Sequence, residues 1–440
     1  MTPALRGELL RAPLFHTPRN PFRETGALEC YPDGSLFIRD GRVAGCGDYA
    51  ALRDAHPDVP SKDLRGGFLL PGFIDTHIHF PQLRVIGGLG MSLLDWLENC
   101  ALPEEARMAD HAYATGTASA FVHALVSHGT TTALVFGAHF APATAALFEA
   151  AESAGLRVAA GQVLSDRLLR PELHQTPDRA YHESKLLIER FHRQGRAIYA
   201  VTPRFALSTS EALLEVCQTL LRENPGLLFQ THINENVQEI AEVGCLFPWA
   251  ADYLAVHEKF GLCRANAIMA HDVHPTDSEL ERLASSGATV SHCPCSNAAL
   301  GSGLFPMRRH ISAGVRCALG TDIGAGTGFG MLKEGLQAYM LQRLAPDGML
   351  LDAGHLLYLA TLAGAEALGL GEKTGDFRVG KSADFVYLRP PDGSPLAAVL
   401  EREQTPEQVL AAIFTLAGAE SVREVRVAGS VVYRSAAEER

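Results

Sequence analysis

Two histidines one residue apart are the side chains in this sequence best placed for chemistry. The stretch Pro71–Gln82 reads PGFIDTHIHFPQ, with apolar Gly72-Phe73-Ile74 leading into Asp75-Thr76-His77-Ile78-His79. Side chains on an extended strand alternate between faces, so His77 and His79 share one face and Ile78 takes the other. Two imidazoles side by side at a strand end make half of a transition-metal site. The plainer alternative is a pair of surface histidines on a loop. What separates the two readings is whether further ligands follow.

The elements that would position those ligands come next. From Phe73 onward, short apolar strand candidates alternate with amphipathic helical stretches such as His111–Ser127 and Ser210–Arg222, the texture of repeated βα units around a parallel sheet. The strand candidates are Phe73–Ile78, Thr131–Phe136, Arg157–Val163, Ile198–Thr202, Leu228–His232, Ala267–His271, Ala288–His292 and Arg316–Thr321. Eight βα units in about 250 residues is the size of a TIM barrel. A doubly wound open sheet fits less well, because no glycine-rich phosphate fingerprint follows the first strand. Before the barrel, Leu36-Phe37-Ile38 and Arg42-Val43-Ala44 flank Asp40-Gly41, a hairpin signal. After a further helical region (Ala353–Leu368), strand texture returns in Asp384–Tyr387 and in Val425–Val427 and Val431–Tyr433 around Ala428-Gly429. The expected fold is α/β: a TIM-like (β/α)8 barrel (69–374) inserted in a small β-sandwich domain made from both chain ends (1–68 plus 375–440).

Catalytic groups of such barrels sit at the C-terminal ends of the strands. Strand one ends in His77 and His79, strand five (LLFQTHINEN) in His232 with Glu235 three residues on, strand six in His271 and strand eight in Asp322. Taken singly, His232 reads as a core histidine, Asp322 as a helix N-cap and Glu235 as a solvated first-turn acid. Together, three histidines and a carboxylate suit one Zn²⁺, with Fe²⁺ as the alternative, and leave a position open for water whose pKa falls toward neutrality. Cys293 and Cys295 flank Pro294 after His292, but the P-C-x-x-C spacing of a cytidine-deaminase zinc site is absent, so these two read as strand-end packing.

This pattern (H-x-H on strand one, His on strands five and six, Asp on strand eight) resembles the amidohydrolase superfamily of metal-dependent hydrolases over nearly the whole chain. Two-metal members carry a bridging lysine on strand four. The segment AIYAVTPRF has none and ends with Arg204, so the resemblance implies a single metal on His77, His79, His232 and Asp322. HIHFPQ, LLDWLENCALPEE (Leu93–Glu105), TPRFALS (Thr202–Ser208), THINEN (Thr231–Asn236), MAH (Met269–His271) and GTD (Gly320–Asp322) are further similar, in order and spacing, to the guanine deaminase family. One departure is Cys295, where many relatives have Asn, which touches the pocket wall at most.

That resemblance implies hydrolytic deamination of guanine to xanthine and ammonia. Glu235 would carry a proton from water to ring N3, Asp322 would pass the second proton to the departing amine, and His271 would hydrogen-bond the nucleophile or ligate weakly. On the substrate side, Arg204 would donate to the guanine carbonyl and Gln82 to the ring edge, with Trp96 and Phe205 packing on the purine face; His232, Glu235 and Asp322 face the substrate too. Adenine, with an amine in place of that carbonyl, would leave the arginine unpaired. A homodimer is implied as well. Among other polar residues, His139 suits a supporting or loop position, His274 solvent, and His292 a hydrogen bond near the site. Gly301-Ser302-Gly303 reads as a flexible pocket-edge loop.

Composition narrows the setting. Hydrophobic residues make up 47% and net charge is −12, from 38 basic and 50 acidic residues, with no basic run. This argues against nucleic acid and anionic membranes as partners; the small purine partner is what the resemblance implies. No signal pattern or membrane-length apolar stretch is read, and nine scattered cysteines suit a reduced cytoplasmic setting. Two rivals remain: a superfamily deaminase or chlorohydrolase for adenosine-type purines, pyrimidines or triazines, and a catalytically silent relative.

Overall fold

The computed structural model describes residues 7–402 and 404–436, so the outermost parts of the expected terminal β domain (1–6 and 437–440) lie outside the described residues. Eight parallel strands form the centre: β1 (Phe73–His79), β2 (Thr130–Phe136), β3 (Arg157–Gly161), β4 (Ala197–Pro203), β5 (Leu228–Ile233), β6 (Ala267–His271), β7 (Thr289–His292) and β8 (Arg316–Leu319). They are hydrogen-bonded in sequence order. The ring closes between its first and last members, where Asp322 N donates to His77 O at 2.8 Å and His79 N to Ile323 O at 3.0 Å. This is the nearly closed barrel expected. Strands such as β2 are buried at every position, as a sheet covered on both faces requires.

Three boundaries differ from the expectation. β3 stops at Gly161, and Val163–Leu164 forms a separate short strand against β4. The helical region at 353–368 is two helices, Ala353–Ala360 and Leu362–Ala367, broken where Thr361 leaves helical geometry (φ −134°, ψ −91°). Two helices not read from the sequence, Pro395–Leu400 and Pro406–Leu416, precede the C-terminal hairpin. Both begin with Pro in the first turn behind a Ser or Thr cap, a strong start signal. Leu410, Ile413 and Phe414 of the second join the barrel's hydrophobic core.

Two further sheets use both chain ends. One has six strands in the order Ser430–Arg434, Val422–Val427, Phe385–Leu388, Phe68–Pro71, Leu14–His16, Glu29–Tyr31; the other has four, Arg42–Asp48, Gly34–Arg39, Gly7–Arg11, Ser61–Asp63. The two-residue alternation of the six-stranded sheet explains its place. Leu14, Leu69, Phe385 and Tyr387 face a small core shared with Leu10, Leu36 and Ile38 of the four-stranded sheet, while Phe15, Leu70, Val386 and Leu388 face the barrel core. Asp40-Gly41 and Ala428-Gly429 turn their hairpins with all four residues at positive φ, the geometry of a two-residue hairpin loop. Among the described residues, no helix is long and apolar enough to cross a membrane.

Candidate active site

The polar strand ends meet at one mouth of the barrel. Ligand atoms of His77, His79, His232 and Asp322 all lie within 4.8 Å of one another, and all four residues are buried. His77 Nε2 and His79 Nε2 each stand 3.3 Å from Asp322 Oδ1, and His79 Nε2 is 3.1 Å from His232 Nε2. Gly320 makes the crossing possible, since a Cβ there would come within 2.7 Å of His77 Cβ and of Ser291 Oγ. The alternation argued for strand one holds: both histidines face the site while Ile78 packs into the core.

This donor set fits a divalent cation. Burial lowers the pKa of His77, lowers that of His79 to about 4, and holds His232 well below the usual imidazole value. All three are therefore neutral at physiological pH, with a lone pair to give. His232 Nδ1 donates to the Arg204 carbonyl at 2.5 Å, which fixes the tautomer and turns the Nε2 lone pair toward His79. His77 Nε2 is buried without a hydrogen-bond partner. Two facing nitrogens and an orphaned third are costly unless a cation lies between them. Burial opposes ionisation of Asp322, but the His77 and His79 imidazoles 3.3 Å away outweigh it and hold its carboxyl well below the usual range.

Glu235 and His271 stand beside this set. His271 Nε2 lies 3.4 Å from Glu235 Oε2 and 3.8 Å from Asp322 Oδ2, and its Nδ1 pairs with Asn297 Oδ1 at 2.9 Å. Ser302 Oγ donates to Glu235 Oε1 at 3.1 Å. The backbone of Glu235 is fixed by the helix that follows it. Asn236 and Glu239 form a capping box at the start of Val237–Leu246, and Glu239 Oε2 accepts from Glu235 N at 3.2 Å and Asn236 N at 3.3 Å. Burial, then the Asp322 charge, push the Glu235 carboxyl up to about 8, suited to taking and returning a proton near neutral pH. Asn234, His271, Asp272 and Asp322 all adopt left-handed φ between +44° and +75°. Such strain in non-glycine residues gathers at functional sites.

Together with these groups, His79, Gln82, Leu93, Trp96, Leu97, Arg204, Phe205, Leu300 and Ala325 wall a cavity holding about 340 Å³ of space, part of it open to solvent. Arg204 and Gln82 converge on a residue the sequence reading had not singled out. Glu105 accepts from Arg204 Nη1 on both oxygens at 2.8 Å and from Gln82 Nε2 at 2.7 Å. Burial opposes its ionisation, but the Arg204 charge and His139, whose Nδ1 is 3.3 Å away, hold it well below the carboxylate range.

The expected site residues therefore line one cavity, except His77, which joins the four-residue cluster without lining it, while three lesser expectations need correction. His274 is half-buried and hydrogen-bonds Ser302 O at 2.6 Å rather than facing solvent. The loop 301–303 is tied down at Ser302, which is buried. His292 makes no hydrogen bond from either ring nitrogen and stacks on Phe305 with centroids 4.3 Å apart. Cys295 packs beneath the site and its amide donates to Glu334, whereas Cys293 Sγ comes within 4.8 Å of His77 and His271 nitrogens. Of the groups that sequence reasoning missed, Glu105 closes the Leu93–Glu105 motif and could have been found there. Ser302 and Asn297 carry no local signal.

Comparison with known proteins agrees. The Amidohydrolase family profile matches residues 68–432. A probable guanine deaminase of Deinococcus radiodurans is 57% identical, over 98% of this chain and all of the relative. The solved structure of E. coli guanine deaminase superposes with a TM-score of 0.92 at 38% identity, covering 98% of this chain and 99% of the other. Guanine deaminase from C. acetobutylicum, solved with guanine bound in its active site, gives a TM-score of 0.89 at 26% identity over 97% and 100% of the two chains. With the profile spanning the barrel and a relative of this identity matched end to end, the chain belongs to the amidohydrolase family and, within it, to the guanine deaminases.

Proposed function

We propose that this protein hydrolyses guanine at C2, releasing xanthine and ammonia. The observation that carries the reading is one cavity lined by Glu235 and Asp322 together with Arg204 and Gln82, the last two joined through Glu105. The full-length relatives named guanine deaminases support it.

His77, His79, His232 and Asp322 would hold one Zn²⁺ per subunit, with Fe²⁺ as the alternative; when bound, the cation supplies Lewis acidity and makes water acidic near neutral pH. Glu235 takes a proton from the attacking water and delivers it to ring N3, which makes C2 electrophilic. His271, between the two carboxylates, hydrogen-bonds the oxygen as it adds to C2. Asp322 accepts the remaining hydroxyl proton and passes it to the amine, the C2–N bond breaks, and ammonia leaves. Trp96 and Phe205, 3% and 4% exposed, sandwich the base and exclude water. Arg204 donates to its carbonyl, and Gln82 contacts the ring edge.

The division into a barrel (69–374) and a small β domain (1–68 plus 375–440) is supported by the separate terminal core. Nine free cysteines support a reducing, cytoplasmic setting, in which the activity would serve purine catabolism or salvage. A homodimer is what the family resemblance implies, and a monomer by light scattering would overturn it. The activity is tested by ammonia release from guanine, adenine, cytosine and a triazine by the zinc-loaded protein. Turnover of guanine alone is expected. Turnover of another substrate in its place would refute the assignment.

A further inference from the structure

We infer that Glu105 sets the base specificity of the site by turning the Arg204–Gln82 wall into a surface that offers only hydrogen-bond donors. The inference rests on guanine being the substrate. It concerns how guanine is told apart from a purine of the same shape.

The argument begins with the Gln82 amide, whose oxygen and nitrogen are interchangeable in shape. Here only one orientation is compatible with its neighbours. Gln82 Nε2 faces Glu105 Oε1 at 2.7 Å, an acceptor, and Gln82 Oε1 faces Gly324 N at 2.9 Å, a donor. Flipping the amide would set oxygen against carboxylate and N–H against N–H. With Oε1 turned to Gly324 and one N–H given to Glu105, what the Gln82 nitrogen has left for a ligand is its second N–H.

Arg204 is fixed by the same carboxylate. Both of its hydrogen bonds to Glu105 leave from Nη1, and Nε and Nη2 make no hydrogen bond to the described residues. The guanidinium has no acceptor of its own. Glu105 is itself 2% exposed and is not among the residues lining the cavity, with His139 Nδ1 3.3 Å from its Oε2. It therefore absorbs the acceptor capacity of the wall while the ligand meets N–H groups alone. Along its O6–N7 edge guanine presents two acceptors, whereas an amine at C6 presents a donor. The donor-only wall accepts the first edge and leaves N–H facing N–H at the second. The Arg204 carbonyl also fixes the His232 ring, so the base-reading wall and the ligand cluster share one residue.

Glu105 touches neither base nor nucleophile in this arrangement and is a positioning residue. Its test uses two substrates carrying the same C2 amine, guanine and 2,6-diaminopurine, with wild type, Glu105→Gln and Glu105→Asp loaded with zinc. Gln at 105 has lost the charge and can itself flip, so the wall can offer an acceptor. The guanine-to-diaminopurine ratio of kcat/KM is expected to fall at least about tenfold, mainly through KM for guanine, with metal content unchanged. Asp keeps the carboxylate and is expected to keep the preference at a lower rate. Equal loss on both substrates, with the ratio unchanged, would show a merely structural role and overturn the inference. Where Glu105→Gln does not fold, Gln82→Met removes one donor and is expected to weaken guanine without weakening diaminopurine; a proportionate loss on both overturns the inference equally. If the wild type takes up zinc but deaminates neither purine, the deamination reading fails. Calorimetric binding of the two purines to the same variants then decides the wall on its own.

Discussion

Replacing Glu235 by Gln separates the acid–base chemistry from everything that holds the site together. The amide is isosteric, and its Oε1 still accepts from Ser302 Oγ, which stands 3.1 Å away in the native protein. The backbone at 235 stays pinned by the Glu239 cap. Glu235 is not among the four clustered ligands, so metal stoichiometry should not change. What disappears is one group that takes a proton from water and gives it to N3. General acid–base transfers are each worth about 10²–10⁴-fold. Loss of both steps through one side chain should lower kcat by roughly 10³–10⁵-fold, about 4–7 kcal/mol of barrier. The thermal midpoint near neutral pH should be close to unchanged, because burial pushes the native carboxyl up to about 8, so the amide replaces a group that is itself largely neutral there. The assay is the loss of guanine absorbance with ammonia release, beside metal content by atomic absorption and a melting curve. A fall of less than tenfold in kcat, or loss of metal in step with loss of rate, would refute the role given to Glu235.

Arg204→Met should leave the buried Glu105 carboxylate with Gln82 Nε2 and, at 3.3 Å, His139 Nδ1 among the described residues but without its charge partner, a loss of about 3–5 kcal/mol. Urea unfolding should show it, and the double variant with Glu105→Gln should recover part; no recovery would mean that the charge pair is not the cause. Glu334→Gln tests a buried carboxyl outside the reaction. Burial raises its folded pKa to about 8 from an ordinary 4.5, so its contribution is complete below pH 4.5 and is lost as pH rises toward 8. The variant should match wild type at pH 4.5 and gain roughly 1 kcal/mol per pH unit up to pH 8; a gain confined to acid pH would contradict this. Dialysis against a chelator should abolish turnover and lower the melting temperature, and added zinc should restore both, since a ligand of the folded state stabilises by mass action. An unchanged melt would argue against a cation on His77, His79, His232 and Asp322.

The clustering of His77, His79, His232 and Asp322 was legible because its signals are local. His77 and His79 share a face by the two-residue alternation, and His232, His271 and Asp322 each end an apolar run, so a barrel of βα units brings them to one mouth whatever the loops do. The hairpins at Asp40-Gly41 and Ala428-Gly429 were legible for the same reason, with the turn chemistry written in two residues. The helices at 395–400 and 406–416 were missed beneath the strand texture around them, though Ser394-Pro395 and Thr405-Pro406 are start signals in their own right. Glu105 was quoted within a motif and passed over, since an acid after Pro103-Glu104 reads by default as a solvated helical residue.

What hid Glu105 was distance along the chain. It lies 99 residues from Arg204 and 23 from Gln82, and Ser302 lies 67 from Glu235. No periodicity links such pairs, because the fold alone makes them neighbours. The two kinds of information also divide the chemistry. Residues that would hold the cation and move protons sit on strand ends and are fixed by barrel geometry, whereas the groups that would read the base are held by contacts reaching across from the segment after β1. A barrel that keeps His77, His79, His232, Glu235 and Asp322 but changes residue 105 should therefore keep hydrolytic power and lose its choice of base. The reverse change should leave a protein that binds guanine without deaminating it.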